Sequence, residues 1–313
     1  MKVCAVVVTF NRKELLMDCL EALLKQKRPL DAIYIVDNAS TDGTPGSLQE
    51  KGYIDDPDGS IKTIEDHGGN PVKTVYVRMK ENTGGAGGFH EGIRRAHTEG
   101  YDWIWVMDDD VEPLDDTLEK LLRAAEKIPE DVSAVAPVRF FRGSLFNLET
   151  KTFDFRNPLK HFTYNVITED DLNEEYFRVA AISFEGPLIR GDAIERIGYP
   201  DRDLFIIADD TDYAIRLQTY GSIYMISGAR LIKKVAGDGG FSWKDFYYLR
   251  NLVYLDMKYG ENPAVRYLRP LRTFCFSAYI CLKRKPSSFR YLLRALWEGY
   301  TLKKGRTLEP GEF

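Results

Sequence analysis

The stretch WIWVMDDDVEP, Trp103 to Pro113, decides how the rest of the chain is read. An apolar run leads straight into three aspartates. Like charges side by side repel, and folding alone does not call for them. Acid-rich capping of the next helix explains Asp115 or Asp116 in DDDVEPLDDTLEKL, but not three acids closing an apolar strand. In extended backbone the side chains alternate, so Asp108 and Asp110 share one side and Asp109 takes the other. Two carboxylates converging at a strand end suit a hard divalent cation with oxygen ligands, Mn²⁺ or Mg²⁺.

Outward from this stretch, strand and helix patterns alternate. KVCAVVVTF, AIYIVDNAS, KTVYVRM, YDWIWVM and VSAVAPVRFF read as buried strands. RKELLMDCLEALLKQ, GFHEGIRRAHTEG and DDTLEKLLRAAEKI read as helices with one apolar face. That order predicts an α/β fold with a mostly parallel central sheet flanked by helices, and ligands beyond the carboxyl ends of its strands. Residues 46–70 are polar and rich in turn formers, which predicts a surface excursion. Residues 142–178 are irregular. We divide the chain into a catalytic domain, 1–255, and a helical, basic and aromatic extension, 256–313.

Composition is that of an ordinary globular protein, and the formal net charge of −5 gives no sign of a nucleic-acid partner. The four cysteines form no CxxC pair, which predicts buried thiols in a reducing compartment. No apolar run is long enough to span a bilayer. From Lys258 onward, however, basic residues outnumber acidic ones and are interleaved with aromatics. That mixture suits either an anionic membrane surface or a helical cap with a solvated face.

Three further segments carry candidate chemistry. Asp37, in YIVDNASTDGT, ends a strand and enters a polar turn, where it can close an Asx turn or bind a ligand. ENTGGAGGFHEG is a glycine-rich loop entering a helix, with amides open to phosphate. It follows the third strand rather than the first and lacks GxGxxG spacing, which disfavours a dinucleotide fold. In FIIADDTDYAIRL, Asp209, Asp210 and Asp212 precede a helix, and a carboxylate there can deprotonate a hydroxyl. Arg250 lies in an apolar helix and calls for an anionic partner: Asp209 or Asp212, or else the acceptor or a diphosphate.

In order, VTFNR, VDNASTDGT, NTGGAGGF, MDDD, GPLIRGD and ADDTDYAIR resemble family 2 glycosyltransferases of the GT-A fold over roughly Lys2 to Leu255. GGAGGF, FIIADDTDYAIR and YYLRN are similar to bacterial galactofuranosyltransferases and the related rhamnosyltransferases. The resemblance implies an inverting, metal-dependent transfer from a nucleotide sugar. Asp37, with Thr9 and Asn11, would hold the nucleoside. Asn82, Gly84, Gly85 and Gly88 would shape the donor pocket, and Asp109 would orient the sugar. Asp108 and Asp110 would hold Mn²⁺ or Mg²⁺. Asp210 would be the general base, supported by Asp209 or Asp212, and Asp212 is also a candidate contact to the acceptor or the diphosphate. One departure stands out: where the galactofuranosyltransferases carry a Trp-His pair completing the metal site, this chain has Ile232 and Lys233. A protonated lysine cannot ligate a metal, so Lys233 would touch the diphosphate directly, or the metal would keep an extra water.

The donor implied is UDP-galactofuranose, with dTDP-rhamnose as the alternative. The acceptor implied is a saccharide or polyprenyl-linked saccharide used in cell-surface polysaccharide synthesis. The expected location is cytoplasmic, peripheral on the inner face of the plasma membrane, with a homo-oligomer contact as another use of the C-terminal segment. A nucleotidyltransferase fits less well, because TFNRKELL after the first strand lacks glycines. A non-catalytic nucleotide-sugar-binding protein would have to lose function despite both acidic clusters being intact.

Overall fold

In the computed structural model, which describes residues 1–237 and 240–313, strands β1 (Val3–Thr9), β2 (Ala32–Asp37), β3 (Gly59–Glu65), β4 (Pro71–Arg78), β5 (Trp103–Asp108), β6 (Val111–Pro113) and β7 (Val132–Phe141) alternate with helices α1 (Lys13–Leu24), α2 (Thr44–Glu50), α3 (Gly84–Thr98) and α4 (Thr117–Lys127). Short strands β8 (Ser144–Leu145), β9 (Thr150–Phe153), β10 (Thr163–Val166), β11 (Tyr176–Val179) and β12 (Leu188–Arg190) follow. Then come α5 (Gly191–Ile197), α6 (Asp209–Leu217), the long β13 (Ser222–Lys233), and helices α7 (Lys244–Tyr259), α8 (Pro263–Tyr267), α9 (Arg269–Arg284) and α10 (Phe289–Tyr300).

The main sheet runs β11-β13-β7-β12-β5-β1-β2-β4-β3. Strands β5, β1, β2 and β4 are mutually parallel, as are β7 and β13. The apolar runs of the central strands follow from burial on both faces. Along β1, Val3, Ala5 and Val7 pack with Leu16, Leu20 and Leu23 of α1, and Leu118 and Leu121 of α4. Cys4, Val6 and Val8 pack on the other side with Phe89 and Ile93 of α3. Register aligns Val8 with Asp108 and Thr9 with Asp37, so the polar residues ending β5, β1 and β2 lie side by side.

Two short strands depart from the parallel pattern and position the site. β12 is wedged antiparallel between β5 and β7, pairing Leu188 with Trp105 and with Val135. Its entry therefore lies at the carboxyl end of β5. β6 pairs antiparallel with the end of β13, setting Lys233 opposite Val111.

The stretch 46–70 is more ordered than its composition suggests. It contains part of α2 and the edge strand β3, which pairs with β4 from Gly59–Val77 to Glu65–Pro71. An edge strand with no deeply buried face is held by its backbone ladder and needs no apolar alternation. The irregular stretch 142–178 likewise contains four short strands, with β9 and β10 forming a separate hairpin. All four cysteines are free; Cys4, Cys19 and Cys281 are buried, but Cys275 is exposed on α9, against the expectation for it.

Residue 255, where the sequence reading divides the chain, falls inside α7. Helices α7, α9 and α10 share a core of Phe246, Tyr247, Leu249, Val253, Ala278, Cys281, Leu292 and Ala295, to which Phe205 and Leu308 also belong. Among the described residues no helix is long and apolar enough to cross a membrane.

The glycine-rich stretch is helical: Gly84 to Gly92 form the first turns of α3. Glycine is a poor helix former, but α3 lies so close to β1 that a side chain would not fit. A Cβ on Gly88 would stand 2.6 Å from Val8 Cγ1, and one on Gly92 2.4 Å from Val6 Cγ1. Gly88 therefore serves the packing of α3 rather than the donor pocket expected of it. Gly92→Ala is expected to cost about 1–3 kcal/mol through overpacking, read as a lower urea midpoint at unchanged slope.

Candidate active site

A cavity of about 790 Å³ opens at the carboxyl ends of β1 and β5, and its lining includes Thr9, Arg12, Asn38, Asn82, Gly84, Gly85, Asp108, Asp109, Glu185, Asp209 and Asp210. Asp108 and Asp110 share one side as expected, but β5 ends at Asp108 and Asp109 and Asp110 form a turn, so the turn and not extended backbone divides the three acids. Asp109 turns toward β1, where its Oδ2 accepts a 2.7 Å hydrogen bond from Thr9 Oγ1 and its Oδ1 a 3.2 Å bond from Arg12 Nη1. Asp108 and Asp110 converge instead with Glu185, each offering an oxygen within 4.8 Å of the others.

Glu185 was not among the sequence candidates. It directly precedes GPLIRGD and reaches the cluster because antiparallel β12 enters the sheet there. Gly186 fixes it: its amide donates to Val106 O at 2.8 Å, its carbonyl accepts from Trp105 Nε1 at 2.8 Å, and its φ is +105°.

Lys233 sits beside this triad. Its Nζ is 2.8 Å from Glu185 Oε1 and 3.4 Å from both Asp110 oxygens, and its side chain is 7% exposed. Arg139, fully buried, bridges Glu185 and Glu149. Arg12 spans Asp109 and Asp110 at 3.2 Å each. Among the described residues, five carboxylates (Asp108, Asp109, Asp110, Glu149 and Glu185) thus share three cations (Arg12, Arg139 and Lys233), an excess of two negative charges when all are ionised. The effect shows in the titration of the group with no cation of its own. Burial, then the charges of Glu185, Asp110 and Asp109, push the Asp108 carboxyl well above its ordinary range. Asp109 is raised to about 6 by burial, against the pull of Thr9 and Arg12. For Glu185 burial acts upward, but Arg139 and Lys233 outweigh it and hold the carboxyl low. An all-oxygen donor set short of two charges fits a hard divalent cation held by Asp108, Asp110 and Glu185.

The other wall is made by the start of α3 and the turn after β2. Asn82 Oδ1 accepts from Gly84 N at 2.8 Å. Asn38, also absent from the candidates, accepts from Thr83 N at 2.9 Å and donates to Gly84 O at 2.8 Å. Gly85 faces open space apart from Phe89. Asp37 lies behind this wall and does not line the cavity: Oδ1 accepts from Ser40 N and Oδ2 from the Tyr76 hydroxyl, each at 2.8 Å, closing the turn. Asn11 also lies outside the lining and ties its own loop to that turn by accepting from Thr41 N at 2.7 Å.

Asp209 and Asp210 open α6 and face the cavity. Asp210 Oδ1 accepts from Thr211 N at 2.6 Å. Burial raises both carboxyls above the ordinary aspartate range; Asp210's charge adds to the effect on Asp209. Asp212 points away. It is fully buried and takes bonds from Arg216 Nε at 3.0 Å, Lys258 Nζ at 2.6 Å and the Tyr259 hydroxyl at 2.7 Å. Those partners make it a structural anchor rather than the acceptor or diphosphate contact expected.

Arg250 is likewise corrected. It is fully buried and outside the cavity, and it pairs with neither Asp209 nor Asp212. Its guanidinium donates instead to Gly305 O at 2.6 Å, Leu204 O at 3.0 Å, Thr307 Oγ1 at 3.3 Å and Asn251 Oδ1 at 2.9 Å. Backbone carbonyls satisfy its donors without a full counter-charge, and burial lowers its pKa to about 10.

A mostly parallel sheet with acidic residues and a helix start gathered at its carboxyl edge defines a nucleotide-sugar transferase of the GT-A fold. Residues 4–197 match the family described as "Glycosyl transferase family 2", and the chain belongs to that family. It is 30% identical over 305 residues to galactofuranosyltransferase GlfT1 of Mycolicibacterium smegmatis, covering 90% of this chain and 91% of the relative. Among solved structures, GalNAc-T7 with UDP, GalNAc and Mn²⁺ superposes with a TM-score of 0.64 at 14% identity, over 94% of this chain and 54% of that one. Staphylococcus aureus TarS 1–349 with UDP-GlcNAc superposes at 0.57 and 14% identity, over 96% of this chain and 82% of that one. These structures share the fold.

Lys233→Met removes a positive charge from beside the triad. Calorimetric titration of Mn²⁺ without substrate is expected to show at least about tenfold tighter binding in the variant, equivalent to about 1.4 kcal/mol.

Proposed function

We propose that the protein transfers galactofuranose from UDP-galactofuranose to a hydroxyl of a saccharide or lipid-linked saccharide in bacterial cell-surface polysaccharide synthesis, inverting the anomeric carbon. The carrying observation is that Asp108, Glu185 and Asp210 line one cavity, with Asp110 converging on the first two, in a chain alike over nearly its whole length to a galactofuranosyltransferase.

Asp108, Asp110 and Glu185 would hold Mn²⁺ or Mg²⁺, which when bound neutralises charge on the departing diphosphate. The start of α3, with Asn82, Gly84 and Gly85, and Thr9 at the end of β1 shape the donor side. Asp109, held by Thr9 and Arg12, orients the transferred sugar. Asp210 accepts the proton of the acceptor hydroxyl as its oxygen bonds to the anomeric carbon and the bond to the diphosphate breaks. A single displacement inverts that carbon and needs no covalent enzyme intermediate. The raised Asp210 carboxyl suits a base working near neutral pH.

Helices α9 and α10 support a peripheral location. Leu268, Leu271, Phe276, Tyr279, Leu282, Leu293 and Trp297 are exposed on or beside them, interspersed with exposed Arg272, Lys283 and Arg290. The one acid on these two helices, Glu298, is buried and paired with Arg294 and Lys303. An apolar face carrying positive charge and no exposed carboxylate fits an anionic lipid surface.

A donor screen by product mass spectrometry with Mn²⁺ is expected to show turnover of UDP-galactofuranose. Turnover of dTDP-rhamnose alone would overturn the donor assignment. Asp210→Asn is expected to lower kcat by about 10²–10⁴-fold while UDP binding by calorimetry stays within about twofold. In the parent, kcat/KM should fall as pH drops through the raised Asp210 pKa, because protonation removes the base; the acid limb should lie above the ordinary aspartate range. Replacing Arg272, Lys283 and Arg290 together by Glu should release the protein from phosphatidylglycerol vesicles by at least about tenfold, from a contribution of about 1 kcal/mol per basic residue at such a surface.

A further inference from the structure

The segment leading into α6 is strained. Phe205, Ile207 and Ala208 have φ of +69°, +67° and +67°. Ala208 is left-handed, and Phe205, with ψ of −65°, makes a strained γ-turn closed by Ile206 N on Leu204 O at 2.9 Å; positive φ suits glycine, and a β-branched isoleucine is the least suited of all. Such backbone persists only where its surroundings fix it. Here the constraint comes from outside the segment. The Asn251 amide, fully buried in α7, directs Nδ2 at the carbonyls of Leu204, Ile206 and Ile207, at 3.1, 2.9 and 2.7 Å. Its two hydrogens are shared among those three acceptors. Asn251 Oδ1 is itself held by Arg250 Nε at 2.9 Å, and Arg250 Nη2 reaches Leu204 O at 3.0 Å.

The remaining carbonyls of the segment point to the two functional halves of the cavity. Phe205 O accepts from Ala86 N of α3 at 3.1 Å, and Ala208 O accepts from Asp212 N of α6 at 2.9 Å. Contact with α3 is so close that a Cβ on Gly84 would stand 1.9 Å from Phe205 O. The segment is thus bonded to the start of the donor-side helix on one side and begins the acidic helix on the other.

From this arrangement we infer that Asn251 is a positioning residue for the transfer reaction. It holds residues 204–208 in their strained path, so that Asp209 and Asp210 are presented to the cavity in fixed relation to the start of α3. Asn251 lines no part of the cavity and touches no reacting atom. The inference rests on the proposed role of Asp210 as base, and the test separates the two.

The test uses the full chain as parent, Asn251→Ala, Ala208→Gly, the double variant and Asp210→Asn. Asn251→Ala is expected to lower kcat by about 10–100-fold with the donor KM within about threefold. It should also shift the acid limb of the pH profile and speed amide hydrogen exchange across residues 204–210 by about tenfold. Glycine at 208 adopts the left-handed conformation without help, so the double variant should recover at least about fivefold of the lost kcat. Should Asn251→Ala not fold, Asn251→Ser, which keeps one donor, replaces it in the same cycle. Unchanged kcat and exchange in the Asn251 variant, or a loss that Ala208→Gly leaves untouched, overturns the positioning role. Full activity of Asp210→Asn together with faster exchange in Asn251→Ala overturns the base assignment alone and leaves the restraint on the segment standing.

Discussion

Concentrated negative charge at the carboxyl end of β5 is the constraint around which the site is organised. Five carboxylates lie within one small region, and most are shielded from water. Taking even one carboxylate out of water is costly unless it is paired. Each supporting feature answers part of that cost. Arg12 comes from the start of α1, Arg139 from β7, and Lys233 from the end of β13. β12 and β6 are too short to add much to the sheet. Their role is to bring Glu185 and Lys233 to the same edge.

The C-terminal helices contribute to the same end. α7 packs its aromatic face against Phe205 and sends the Asn251 amide and Arg250 guanidinium into the turn before α6. The acidic helix therefore depends on residues that lie outside the central sheet. The family match ends at residue 197, while the likeness to GlfT1 covers 90% of the chain. What lies between those limits includes the acidic start of α6 and all of α7.

Much of the fold was legible in the sequence because burial on both faces writes long apolar runs. The central strands and the helices α1, α3 and α4 follow from those runs. The two-residue period of extended backbone anticipates the grouping of Asp108 with Asp110, but β5 ends at Asp108 and a turn at Asp109 and Asp110 produces it. Glu185 was not legible, because an antiparallel strand carries it in from far along the chain, and one glutamate before a glycine has no local pattern. The glycines of α3 look like a loop by propensity; only their contacts with Val6 and Val8 explain a helix there. Burial of Arg250 was foreseeable, but not its partners, since a guanidinium can be satisfied by carbonyls that carry no sequence signature. Asp37 shows the same limit. Its place in an Asx turn was one of two open readings, and the buried Tyr76 hydroxyl that takes its second oxygen comes from a neighbouring strand.

The tail after α10 has a consequence for how the cavity is enclosed. Tyr247 receives bonds from Thr307 N and Leu308 N, Arg250 holds Gly305 O, and Arg306 reaches across 224 positions to Asn82 O at the cavity rim. The rim of the cavity is therefore closed in part by residues 305–308, far from the sheet in sequence. Loss of that short segment would leave the acidic strand ends in place while opening the enclosure around them, so that the sheet could stand and the site be undone.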